Sequence, residues 1–210
     1  MNRILLMTFL LIRCFTSQSQ PSIINDTILK TGIYKNFQEF KTNSPSIEFN
    51  YDILTKDEPY GFLGLSKVAV YRIDIEKKKA VDIGEVFGFC DGKHIYINED
   101  NRMLNPKTNF RRIEYLGAYG YFESTFHSIS NYTGQGITIM TYLDKKVIDT
   151  NTGRVSILDK STLRTIIADD KELLNEFNNA SWKNKKLKDY LIKYLKRRKV
   201  KTENSGNHFG

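Results

Sequence analysis

At 210 residues, with 32 Lys plus Arg against 24 Asp plus Glu and 40 % hydrophobic content, the chain is basic (net charge +8) and has the length and apolar share of one ordinary domain. Two cysteines, Cys14 and Cys90, and three scattered histidines, His94, His127 and His208, give neither a disulfide framework nor metal-ligand spacing, so the core must supply the stability.

The first element is a leader. Met1, Asn2 and Arg3 precede an apolar run over residues 4–12 broken only by Thr8, and the polar stretch of residues 16–20 follows, in the order of a secretory signal peptide. A run of nine residues falls short of the ~20 apolar residues that span a bilayer, so no transmembrane segment is expected in the mature chain. Ser17 and Ser19 place the cut before Gln20. Arg13 ahead of Cys14 argues against lipid attachment, which needs a small residue there. Loss of residues 1–19 removes Arg3 and Arg13 and no acid, so the mature chain carries +6 and Cys90 alone. The expected location is the periplasm, the cell surface or the medium.

Residues 27–157 read as β-rich, because short windows of Tyr, Phe, Ile and Val alternate with polar residues. An early short helix over residues 36–41 is predicted from Phe37 and Phe40 three apart, ended by Ser44-Pro45-Ser46. Alternation predicts strands over residues 68–75, 110–115, 119–126 and 137–143. Asp91-Gly92 predicts a two-residue turn joining residues 86–90 and 93–98, with Cys90 on the face of Val86, Ile95 and Ile97, and His94 on the face of Phe87, Phe89 and Tyr96. No strand-helix-strand rhythm is present, which favours an antiparallel sheet.

After Asn151-Thr152-Gly153 the period lengthens to about 3.6. Residues 159–200 read as a helical pair: one member capped by Asp159 or Ser161, continuing past Asp169 or Asp170 to Leu173, Leu174 and Phe177, and a second over residues 182–200. In the second, Leu187, Tyr190, Leu191, Tyr194 and Leu195 line one face and nine cations occupy the rest. Residues 201–210 read as a tail. The prediction is thus a single α+β domain over residues 20–200, mainly antiparallel sheet with an early short helix and a C-terminal helical pair.

Few chemistries survive inspection. Alternation separates Cys90 from His94, and likewise Ser124 from Glu123 and His127, which argues against nucleophile-base pairs. Gly61-Phe62-Leu63-Gly64-Leu65-Ser66-Lys67 lacks the spacing and the Gly-Lys-Ser/Thr ending of a phosphate loop and reads as a surface loop after Asp57, Glu58 and Pro59. Gly32-Ile33-Tyr34 matches the opening triplet of a nuclease family, whose Tyr-Ile-Gly counterpart is missing here. No catalytic, cofactor or metal residue is assigned. One surface stands out as a candidate for an anionic partner: Lys185, Lys186, Lys193, Lys196, Arg197, Arg198 and Lys199 on the last helix, suited to phosphate-bearing lipid or polysaccharide more than to nucleic acid, or else simply solvated around a docked apolar face.

The stretch Thr31-Gly32-Ile33-Tyr34-Lys35-Asn36-Phe37-Gln38-Glu39-Phe40, with Phe87-Gly88-Phe89-Cys90-Asp91-Gly92 and the later Ile167-Ala168-Asp169-Asp170, resembles small exported proteins of Bacteroidetes-type bacteria. The resemblance implies a Gram-negative envelope and brings no active site with it. Asp26-Thr27-Ile28 is similar to the O-glycosylation acceptor triplet of such bacteria. The sequence therefore favours a non-catalytic binding or structural component of the cell envelope over an envelope hydrolase with a site assembled from distant strands. Protein recovered from its native host should begin within a few residues of Gln20 by N-terminal mass spectrometry. Folded protein retaining Met1 would remove the export reading.

Overall fold

The structure, a computed structural model, describes residues 29–99, 103–132 and 136–206. The predicted leader, the Asp26-Thr27-Ile28 triplet and His208 lie outside these residues. In chain order the elements are β1 (Gly32–Tyr34), α1 (Phe37–Lys41), β2 (Ile53–Tyr60), β3 (Ser66–Ile73), α2 (Lys77–Ile83), β4 (Gly88–Cys90), β5 (Ile95–Ile97), β6 (Arg111–Arg112), β7 (Tyr119–Tyr132), β8 (Gly136–Asp149), β9 (Val155–Ile157), α3 (Lys160–Ile166), α4 (Lys171–Asn179) and α5 (Leu187–Gly206). The class is α+β with antiparallel pairing throughout, in sheets ordered β1-β4-β5-β6, β2-β3 and β7-β8-β9.

Period-two alternation stacks these sheets. On the root of the β7-β8 ladder Tyr121 and Val147 oppose one another and join Leu163, Ile167, Leu173, Phe177, Leu191 and Tyr194 of the helices in one core. Their neighbours Phe122 and Ile148 face the other way, into a second core with Tyr34, Phe40, Cys90, Ile95 and Ile97. Ile33, Phe89 and Tyr96, on the far side of the four-stranded sheet, build a third core with Ile73, Ala80, Ile83 and Phe110. The four-stranded sheet and the root of the β7-β8 ladder are thus buried on both faces.

The β4-β5 turn differs from expectation. Asp91 and His94 flank it, joined by the Asp91 N–H to His94 carbonyl bond (3.3 Å), so Gly92 and Lys93 are the central pair rather than Asp91 and Gly92. Asp91 Oδ1 accepts from the N–H groups of Lys93 (2.8 Å) and His94 (2.6 Å), and Gly92 supplies the positive φ of 91° at the first centre. The shift preserves parity, so Cys90 keeps Ile95 and Ile97, and Phe89 keeps Tyr96. Alternation fails before Gly88: Phe87 belongs to the Cys90 core and Val86 to the opposite one, the reverse of their predicted faces. A Cβ on Gly88 would lie 2.3 Å from the Tyr96 carbonyl oxygen, which explains why a side chain is missing at that step.

Other differences have equally local causes. β2, absent from the predicted strands, pairs with β3 over eight residues while keeping most side chains exposed, which leaves no alternation to read; the surface loop expected after Asp57, Glu58 and Pro59 is the short turn of residues 61–65, and Ser66 and Lys67 already belong to β3. α2 hides only Ala80 and Ile83, masked in sequence by three lysines. The first C-terminal helix is divided into α3 and α4, each with its own cap: Asp159 accepts from Thr162 N–H (2.7 Å) and Asp170 from Leu173 N–H (3.0 Å). α5 continues to Gly206, six residues beyond its predicted end at Val200 and into the stretch read as a tail.

Replacing Gly88 by alanine should destabilise the protein by about 2 kcal/mol in urea denaturation, because backbone rather than a flexible side chain blocks the new methyl. An unchanged midpoint would show that β4 and β5 can separate at little cost.

Candidate interaction surface

β7 and β8 pair from Tyr119↔Asp149 to Tyr132↔Gly136, fourteen residues each. At ~3.3 Å per residue such a strand reaches ~45 Å. Only its root is covered by the cores. Beyond it Phe126, Met140 and Tyr142 share one face, where the Phe126 and Tyr142 rings stack at 5.3 Å and the Tyr142 hydroxyl donates to Met140 Sδ (3.1 Å). Ile129 and Ile139 oppose one another on the other face, 66 % and 62 % exposed. The arm is apolar and open on both sides.

The β2-β3 turn adds to this surface. Gly61 N–H donates to the Thr141 carbonyl (2.8 Å), bringing Phe62, Leu63 and Leu65, all more than three-quarters exposed, to the side of the arm. Leu63 holds a left-handed φ of 56°, a conformation a leucine adopts at some cost while presenting its side chain to solvent. Among the described residues, eight of the fourteen large exposed apolar ones therefore belong to the arm and the turn beside it, so the exposure is concentrated rather than scattered.

Charge is distributed as unevenly. Residues 124–143 contain no Asp, Glu, Lys or Arg, although such residues make up 27 % of the chain. Open sheet edges are normally guarded by charges or proline; this one is not.

Polar ties fix the root. Glu58 Oε2 accepts from Arg111 Nη2 (2.8 Å) and Thr125 Oγ1 (2.7 Å), and Arg72 Nε reaches Asn109 (2.8 Å), whose amide approaches Glu58. Burial pushes the Glu58 carboxyl up, but the bonds from Thr125 and Arg111 and the guanidinium charge outweigh it and hold the group below its usual range. On the other face Lys146 pairs with Glu99 and lies 3.9 Å from Asp144. Burial draws the Lys146 ammonium down and the Asp144 carboxyl up, each toward its neutral form.

A family model matches residues 32–202, from β1 into α5 and across the whole arm. The chain belongs to the DUF6563 family, a family of unknown function. No curated protein and no solved structure matches it.

In this DUF6563 chain the nucleophile candidates stay apart. Cys90 is fully buried and burial raises its thiol above the usual range, while His94 is exposed at the turn with Nδ1 3.4 Å from Asp91. His127 lies exposed on the arm against Thr141 Oγ1 (2.9 Å), and Ser124 is buried on the opposite face with its Oγ unpartnered. A hydroxyl so enclosed cannot meet a polymer substrate. Among the described residues no three of His, Cys, Asp and Glu gather closely enough to hold a metal ion, and no helix is long and apolar enough to cross a membrane.

The basic face of α5 is largely engaged by neighbours. Lys193 reaches Glu176 (2.5 Å), Arg197 reaches Asp170 (3.2 Å) and Glu172 (3.4 Å), Arg198 lies 3.9 Å from Asp169, and Lys188 reaches Glu114 (2.6 Å). Lys185 sits 5.1 Å over the exposed Trp182 ring, Lys186 lines a shallow cleft with Glu176, Asp189 and Tyr190, and Lys196 and Lys199 belong to the same helix. A polar cleft of about 290 Å³ between β9 and α3, lined by Tyr119, Asp149, Arg154, Ser156, Ser161 and Thr165, escaped the sequence reading because its lining is ordinary hydroxyl residues from distant segments. The arm had a legible signal: a charge-free run of twenty residues.

Because the folded-state pKa of Glu58 is depressed, its contribution to stability is present above the unfolded value near 4.5 and is lost as pH falls through the lower folded value. Glu58→Gln should therefore cost about 1 kcal/mol at neutral pH, the group being only partly enclosed. The gap to wild type should close in acid below pH 4.5. Denaturation midpoints across that range check it; a gap independent of pH would refute the ion pair's role.

Proposed function

We propose that the chain is a non-catalytic binding component of the bacterial cell envelope, exported by its leader, that works by laying the β7-β8 arm against the uncharged surface of another protein strand. The carrying observation is the arm itself, twenty residues without a charge in a chain of net +8, with large apolar side chains exposed on both faces. A two-stranded ribbon is marginal on its own in water, and pairing or covering supplies what it lacks. The resemblance to exported proteins of Bacteroidetes-type bacteria supports the envelope setting, and the apolar run of the leader, broken only by Thr8, supports export.

A second reading places an anionic lipid or polysaccharide on α5. Lys185 over Trp182, with Lys160 lining the same cleft, favours it. The carboxylates already facing Lys193, Arg197 and Arg198 weigh against it, since a polyanion would have to displace them.

Crosslinking and copurification from the native envelope separates the two. Ile139→Lys should reduce the captured partner at least about tenfold, the effect of losing ~1.4 kcal/mol or more at an anchor, while joint replacement of Lys185, Lys186 and Lys196 by serine should leave it intact. The opposite pattern, with binding abolished by moderate salt, would transfer the function to α5.

A further inference from the structure

Resting on that reading of the arm, we infer that its partner is a second copy of the same chain, joined edge to edge through β7 in antiparallel fashion about a two-fold axis at Ile129. The outer edge of β7 is open for this. β8 occupies one side, while on the other Tyr115 bridges Tyr121 and Arg111 reaches the Thr125 side chain, and past these no strand pairs with it among the described residues.

The sequence of that edge is self-complementary. Phe126-His127-Ser128-Ile129-Ser130-Asn131-Tyr132 carries similar chemistry read from either end. Antiparallel pairing centred on Ile129 sets Phe126 against Tyr132, His127 against Asn131 and Ser128 against Ser130, with Ile129 against itself. Cross-strand pairs of aromatic with aromatic and hydroxyl with hydroxyl are the ones that stabilise a ladder. An isologous interface requires that residue i meet j while j meets i, and this segment satisfies the condition with like chemistry at every step.

Charge permits the approach. Two bodies of the same net charge repel, but no like charges face one another anywhere along this edge, because the segment has none. A foreign partner would need no such palindrome. A lipid surface would gain nothing from the polar residues interspersed through this segment. Joining two β7 edges makes a continuous four-stranded ribbon, and three or more strands are what turn a marginal hairpin into a stable sheet.

The two-fold axis gives the test its specificity. Opposed residues in an antiparallel pair have Cα atoms ~4.5–5.5 Å apart, within disulfide reach, so full-length protein carrying Ile129→Cys should form a covalent dimer under mild oxidation at micromolar concentration. Phe126→Cys should not, because its copy across the axis would stand ~20 Å away. Ile129→Lys, which places two ammonium groups at the axis, should halve the mass seen in sedimentation velocity with unchanged far-ultraviolet circular dichroism. A wild-type protein sedimenting as one chain, or equal crosslinking at positions 126 and 129, would overturn the self-pairing. In that case loss of a different captured protein by Ile139→Lys would still uphold the arm as a binding surface, so the two ideas fail separately.

Discussion

The root of the β7-β8 ladder is the constraint on which the rest depends. Tyr121 and Val147 on one face and Phe122 and Ile148 on the other put adjacent residues of the same two strands into different cores. Fully burying side chains of this kind contributes roughly 1.5–3 kcal/mol each. With both faces committed, the register of the pair is fixed, since a slip of one residue would turn every one of these side chains into the wrong layer. The same rigidity carries fourteen-residue strands outward past the point where any core supports them. The exposed arm is thus a consequence of a well-anchored base, and Glu58, Arg111 and Thr125 add a polar tie where the covered part ends.

α5 illustrates how magnitudes decide between two readings of one helix. Its cations are as numerous as its apolar residues, yet Leu187, Tyr190, Leu191 and Tyr194 are the residues that are buried. Apolar burial orients the helix, and exposed ion pairs contribute far less. Lys188, Lys193 and Arg197 then meet carboxylates on Glu114, ahead of β7, and on Glu176 and Asp170, in α4 and at its cap. Much of the positive charge that looks available for an external polyanion in the sequence is met within the fold.

What could be read without coordinates followed burial. The α+β class, the β-rich strands, α1 and the apolar face of α5 all rest on periodic side chains that end up inside. β2 and α2 were illegible because their burial is one-sided or slight and lysines dominate their composition. The β4-β5 turn was misplaced by one residue because Asp91 acts from outside the central pair, through its carboxylate, rather than within it. Phe87 changed face because the alternation rule assumes a regular pleat, and the close backbone approach at Gly88 interrupts it. The polar cleft at Tyr119 and Arg154 depends on a juxtaposition of β9 with α3 that no local pattern encodes.

The arm was legible by a different route, through what it lacks. Natural sheets protect exposed edges with charge, proline or a bulge, since an unguarded ribbon of Ile, Phe, Tyr and hydroxyl residues invites any other strand to pair with it. Aggregation selects against such a segment unless a specific neighbour covers it. A basic chain could have placed a lysine at any of twenty positions between Glu123 and Asp144, and it places none. Apolar residues that merely fail to reach a core would be scattered and interrupted by charge. These lie within one charge-free run, are exposed on both faces, are tied at the root, and are flanked by the strained Leu63 turn that adds to the same surface. Physical economy favours a covered ribbon, and the covering surface must itself be neutral over a comparable length, which is a demand the ribbon's own edge can meet.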